Sequence, residues 1–457
     1  MFDELKKIIE IFPEGYRDIR YENNSDESIF IQDGRVSRIS KTGSRGAHFR
    51  ILANGGMAVM SSTDLKKIVD SRDELINDAR ISASSKQRKI IFEPQAAIID
   101  NTVIESQKNP LAVTMEEKLA LLNEYCTFIS SRIEAVTMSA SYKQEYTKKH
   151  FANSEGSAIS QEQLYSSMTF NVYIKTDLGD MQNLSVTLGG NDNYMSMVGM
   201  HDVLENYVSD LSELKGAVPI PGGRFNVILN PQLAGVFIHE AFGHLSEAEH
   251  IYYSDDLKKN LKIGKPIGPA HLSVIDDPSI KGVPGYYKYD DEGIPGKKTY
   301  IIKNGIINSY LNDRDSASYF GQALTGHCRA KNYEYPPIIR MSNIYIDKGT
   351  NTASEIFDTM DDGYYLLNAK GGQTVGNHFT FGAQYGYRIK NGRKKEIVKD
   401  INISGELFST LMNIRQIADD FEFDKRGGCG KDGQLISKSA TGSAHVRIDN
   451  VGIGGKL

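Results

Sequence analysis

The stretch FNVILNPQLAGVFIHEAFGH, residues 225–244, decides how this chain is read. Phe225–Leu229 is a short apolar run of the kind that forms a buried strand. Asn230 then stands where a side-chain oxygen can cap a helix, and Pro231 takes the first helical position, where no backbone N–H is needed. The helix so opened carries Leu233, Val236 and Phe237 and runs into His239, Glu240 and His244. Imidazoles are natural zinc ligands, and a carboxylate beside the first can act as base on a metal-activated water. A strand therefore delivers a ligand-bearing helix.

The spacing sets a geometric condition. Histidines four apart on an α-helix differ by about 40° around the axis and reach one ion, whereas five apart they differ by roughly 140°. His239 and His244 are five apart, so they converge only if the helix widens or bends, as in a π-bulge. The distortion is expected near Gly243, whose missing Cβ eases it. A His-rich helix with no metal is the plain alternative, and a third ligand shifts the balance towards the metal. Glu247 and His250 are local candidates. The remote one is Cys429, in RGGCGKDGQ (residues 426–434), read as a glycine-dense loop that presents one thiol. Its glycines permit close approach to another element, and Lys431 is expected to help keep the sulfur ionised.

Outward from this centre, KGAVPIPGG (residues 215–223) breaks regular structure and suits an interdomain connection. The expected fold is α+β with two domains. Residues 1–214 form an N-terminal mixed α/β domain, and residues 215–457 a mainly antiparallel β domain carrying the metal-binding helix. Asp33-Gly34, Asn54-Gly55, Asn304-Gly305 and Asn391-Gly392 are hairpin turns. Helices are expected at Ser62–Ala83, starting at Ser62 or Thr63, and at Met115–Ile133, with Leu119, Leu122, Cys126 and Ile129 as its buried stripe. Residues 264–298 are too irregular for simple secondary structure. Within them, Asp276-Asp277-Pro278 and Asp290-Asp291-Glu292-Gly293 read as turns, the latter lacking the spaced ligands of a calcium loop.

Composition narrows the function class. A net charge of −5 with no basic run argues against a nucleic-acid partner. Residues 1–12 read as an amphipathic helix rather than a signal peptide, and no stretch suffices for a membrane span. Three cysteines in 457 residues fit a reducing, cytoplasmic setting. There is no P-loop or dinucleotide fingerprint.

The chain resembles the TldD/PmbA family of metallopeptidases, on its TldD-like catalytic branch, over nearly its whole length. The resemblance rests on Ile31–Arg35 with Gly46–Arg50, His239–His244 with Glu247, Asp290–Gly293, Asn304-Gly305, Pro337–Asn343, Cys429–Gln434 and Val451–Gly455. The sister branch lacks the His-Glu-x-x-x-His element. The family's Thr-Gly-Asn segment appears here as Thr325-Gly326-His327, followed by Cys328, which bears on substrate detail rather than on the metal. Cys328, like Cys126, reads as a packed thiol.

The resemblance implies Zn²⁺ held by His239, His244 and Cys429, with Glu240 as catalytic base. It implies unfolded or short peptides as substrates, and a homodimer or a heterodimer with a non-catalytic sister subunit. Two rivals stand beside it. One is a cysteine peptidase with Cys429 as nucleophile. The other is a non-catalytic peptide-binding subunit whose structural metal is closed by Glu247, His250 or Cys328.

Overall fold

Turn chemistry sets the strands. The computed structural model describes residues 1–85, 88–375 and 377–454. All four hairpin dipeptides take positive φ at both positions, from 48° at Asp33 to 86° at Gly55. They join Tyr16–Gln32 to Arg35–Ala53, that strand to Gly56–Ser62, Thr299–Lys303 to Ile306–Ile307, and His378–Lys390 to Arg393–Lys399.

The N-terminal sheet has seven strands. Tyr16–Gln32 pairs on its other side with Thr137–Asn153, which pairs with Ala158–Lys175 and so leads to Met181–Asn191. The helices Met115–Ser130 and His201–Leu214 cover it, burying Leu122, Tyr125, Ile129, Leu204 and Leu211 against Met138, Phe170 and Val172. Thr114 and Glu117 close a reciprocal capping box at the start of the first. The expected helix over Ser62–Ala83 is instead two, Leu65–Asp70 and Arg72–Ser85. Its cap is Asp64, whose carboxylate accepts from Lys66 N at 2.9 Å, while Ser62 Oγ accepts from Asp64 N. The carboxylate outcompetes the hydroxyls because a charged acceptor also meets the positive end of the helix dipole.

The segment at 215–223 is packed rather than free. Val218–Pro219 pairs in parallel with residues 398–399, and Ala217 and Ile220 are buried. Beyond it lie an eight-stranded and a six-stranded sheet, mostly antiparallel. The architecture is α+β. The irregular segment 264–298 supplies one strand, Val274–Asp276, to the six-stranded sheet.

Between the two sheets runs the helix Pro231–Ile238, packed on strand Asp362–Val375 of one and Ala440–Ser443 of the other. Leu233, Ala234, Phe237 and Ile238 are fully buried. A Cβ on Gly235 would stand 2.9 Å from Gly442 N, so the helix approaches that strand at backbone contact. Asn230 Oδ1 accepts from Leu233 N at 3.0 Å, as its position before Pro231 requires. The strand Gly223–Leu229 leads into this helix.

Asp290, Asp291 and Glu292 are buried. Asp290 accepts three backbone N–H groups, from Glu292, Ile294 and Cys328. Asp291 takes Lys149 Nζ at 2.7 Å and Ala330 N at 2.7 Å. Glu292 takes Arg50 Nη1 at 3.0 Å, and Arg50 also grips Asp18. The turn therefore joins the N-terminal sheet to the C-terminal part through buried ion pairs. Among the described residues no helix is long and apolar enough to cross a membrane.

Candidate metal centre

The helix that begins at Pro231 widens where the histidine spacing demands it. Residues His239–Gly243 form one π-helical turn, followed by a tight 3₁₀ turn over His244–Ser246. The amide of His244 donates to the carbonyl of His239, five residues back. The extra residue in the turn brings the two imidazoles onto one face, with ring centroids 5.0 Å apart. Gly243 sits at the expected place for a different reason. Its φ of −53° is ordinary for a helix. A Cβ there would lie 2.2 Å from Met341 Sδ, so the glycine permits close packing rather than distortion.

Cys429 comes from the other end of the chain. The segment read as a loop is a tight hairpin, Cys429–Lys431 paired with Gln434–Ile436. Its turn is Asp432-Gly433, with φ of 48° and 74°. That dipeptide is the same signal used for the four other hairpins and was sufficient to find this one. The Cys429 sulfur lies 3.7 Å from His244 Nε2. One ligand atom each from His239, His244 and Cys429 all fall within 4.8 Å of one another, the only such cluster of three among the described residues.

Electrostatics support a cation here. His239 Nδ1 is buried without a hydrogen-bond partner, a loss of about 1–3 kcal/mol unless something else satisfies the ring. Burial opposes ionisation of the Cys429 thiol, yet the two imidazoles beside it hold its pKa well below the usual thiol range. Burial likewise opposes charge on His244, but the Cys429 sulfur and Glu247 raise it to about 10. Two nitrogens and a thiolate form a donor set suited to zinc, with a fourth position open. The residues fit the ion.

Glu247 and His250 do not join the cluster. Glu247 lies behind His244, its Oε2 3.2 Å from His244 Nδ1 and 3.6 Å from His250 Nε2. Lys431 does not face the sulfur as expected. Its ammonium reaches Glu247 Oε2 at 2.9 Å, Ile339 O at 2.9 Å and the Glu249 carboxylate. Although fully buried, the Glu247 carboxyl is held well below its ordinary pKa, chiefly by Lys431 and His244. Cys328 and His327 also stand apart: the Cys328 thiol is buried and its pKa pushed up by burial, and His327 Nε2 pairs with Asp276 at 2.9 Å.

A cavity of about 280 Å³ opens on the His239 and Glu240 side. Its wall combines small residues (Ala369, Gly371, Gly427, Gly428, Ser439 and Ala440) with the charged pair Asp424 and Arg426. Thr374 Oγ1 donates to the Glu240 carbonyl, and a Cβ on Gly372 would stand 2.8 Å from Glu240 Cγ. The hairpin that brings Cys429 is itself held by the N-terminal sheet, with Tyr165 Oη donating to Arg426 O at 2.8 Å.

Residues 222–455 match the PmbA/TldA metallopeptidase C-terminal domain, residues 18–83 domain 1 and residues 108–213 the central domain. The chain belongs to the PmbA/TldD metallopeptidase family. It is 35% identical to a metalloprotease of Methanocaldococcus jannaschii, over 95% of this chain and 96% of that one. It is 31% identical over the full length of both chains to a protein of Saccharolobus solfataricus named as a zinc metalloprotease TldD homolog. In fold it is similar to TldE from Thermococcus kodakarensis, at a TM-score of 0.74 and 17% identity over all of both chains. A Thermotoga maritima structure matches at 0.79 and 17%, over 99% of this chain and 100% of that one. The strands of the domain 1 and central matches pair into one continuous sheet here. Of the terminal element Val451–Gly455, Gly455 lies outside the described residues.

Proposed function

We propose that this chain is a zinc-dependent peptidase in which His239, His244 and Cys429 hold the metal and Glu240 is the general base. The observation that carries this reading is the convergence of those three ligand atoms within 4.8 Å, with Glu240 on the wall of the adjoining cavity. When bound, zinc supplies a Lewis acid for the scissile carbonyl and an activated water of pKa about 7. Glu240 takes the proton of the attacking water and later returns it to the leaving amine.

The small side chains lining the cavity favour recognition of main chain over side chain, which suits unfolded or short peptides added as an extra strand. In this reading residues 215–457 are the metallopeptidase domain and residues 1–214 brace it. The protein works in the cytoplasm, paired with a second copy or a non-catalytic sister subunit.

A second reading has one observation in its favour. A buried thiol of depressed pKa, 3.7 Å from an imidazole nitrogen, is also the start of a cysteine peptidase site. It leaves His239 and Glu240 without a role. Metal content and peptide cleavage of wild type, Cys429→Ser and Glu240→Ala, with and without chelator, separate the two. One metal per chain, weakened by Cys429→Ser and kept by an inactive Glu240→Ala, supports the zinc reading. Cleavage by metal-free protein overturns it. Metal without cleavage, alone or with a partner, leaves a binding subunit.

A further inference from the structure

We infer that Lys431 is a positioning residue of the metal centre, acting through Glu247 on the His244 imidazole. The inference rests on the zinc reading above. It begins with the short strand Cys429–Lys431, in which Cys429 and Lys431 are buried and Gly430 between them is exposed. Alternate residues of a strand point the same way. One strand therefore turns both the ligand sulfur and an ammonium group toward the helix that carries His244.

The ammonium meets Glu247, which has no exposed surface. A lone carboxylate so placed is costly unless a charge and hydrogen bonds compensate it. Lys431 Nζ lies 2.9 Å from Glu247 Oε2, with only 5% of its side chain exposed, whereas His250 is 42% exposed and 3.6 Å away. The same Oε2 atom faces His244 Nδ1 at 3.2 Å. Engaging Nδ1 leaves Nε2 as the nitrogen turned toward the Cys429 sulfur. A carboxylate behind a ligating imidazole fixes its tautomer and ring orientation. Here Lys431 fixes the carboxylate. Nothing else in the mechanism uses Lys431, which touches neither the cavity nor Glu240.

The test compares Lys431→Met, Lys431→Arg, Glu247→Gln and the Lys431→Met/Glu247→Gln double variant of the full chain. Zinc affinity is read by competition with a chromophoric chelator, and ligand geometry by the visible spectrum of the cobalt(II)-loaded protein. Lys431→Met is expected to weaken zinc binding about 10- to 100-fold and to alter the cobalt bands, with KM changing less than kcat. Lys431→Arg restores most of the affinity. The double variant binds zinc as Glu247→Gln does, because both act along one line. Wild-type affinity and spectrum in Lys431→Met overturn the inference, as do losses that add in the double variant. Should Lys431→Met fail to fold, Lys431→Gln takes its place with the same readouts: wild-type affinity and spectrum overturn the inference, and a loss that does not add to that of Glu247→Gln in the double variant supports it. Failure of the wild type to bind zinc instead sinks the peptidase reading itself.

Discussion

At the scale of single residues, the proposed base Glu240 and the proposed ligands predict different outcomes on substitution. Glu240 lines the cavity without belonging to the ligand cluster. Glu240→Ala is expected to lower peptide cleavage about 10²- to 10⁴-fold, the range of a general base, with metal content unchanged. Cys429→Ser is expected to lower metal content as well as cleavage. A different residue contributes to acid stability. His48 is 2% exposed, and burial together with Arg20 and Arg50 pushes its pKa down to about 2. In the unfolded chain it protonates below about pH 6.5, while the folded protein keeps it neutral. The unfolded state then binds the extra proton, so this contribution to stability is present above pH 6.5 and falls as pH drops toward 2. Between pH 6.5 and 5 the loss is about 2 kcal/mol. Denaturant melts of wild type and His48→Gln across that range are expected to show a shallower pH slope in the variant.

At the scale of elements, the π turn is the feature on which the site depends. It was legible from His239 and His244 alone, because a five-residue spacing on an α-helix cannot serve one ion and the chain offers few remedies. The role of Gly243 was not legible, since its constraint comes from Met341, on a distant segment. Gly243→Ala is expected to cost about 1–3 kcal/mol through overpacking and to displace His244, lowering zinc affinity together with the melting temperature. Turns and caps such as Asn304-Gly305 and Asn230 were readable because their reasons lie within four residues of themselves. The start of the helix after Ser62 differs from the expectation because Ser62, Thr63 and Asp64 all qualify as caps; Ser62 is still paired in the preceding strand, and the Asp64 carboxylate is the stronger acceptor at the helix start.

At the scale of the whole molecule, buried ion pairs hold the N-terminal sheet to the part that carries the metal centre. Arg50 is 4% exposed and binds Asp18 and Glu292 together. Arg50→Met leaves two buried carboxylates without their cation and is expected to cost about 3–5 kcal/mol, measured by chemical denaturation. The sequence by itself determined the turns, the capped helix, the widened histidine register and the donor types, because each follows from dihedral preference, periodicity and ligand chemistry over a few neighbours. The residues alone left Cys429 open against Glu247 and His250 until the family resemblance named it, and the tertiary structure brings it, 185 residues from His244, into the cluster. The tertiary structure also decided that Lys431 serves Glu247 rather than the sulfur, and that the turn at Asp290, Asp291 and Glu292 is a buried junction. The physical reason is common to all three. Which charges meet in the interior is set by how distant strands pack, and no local pattern encodes that.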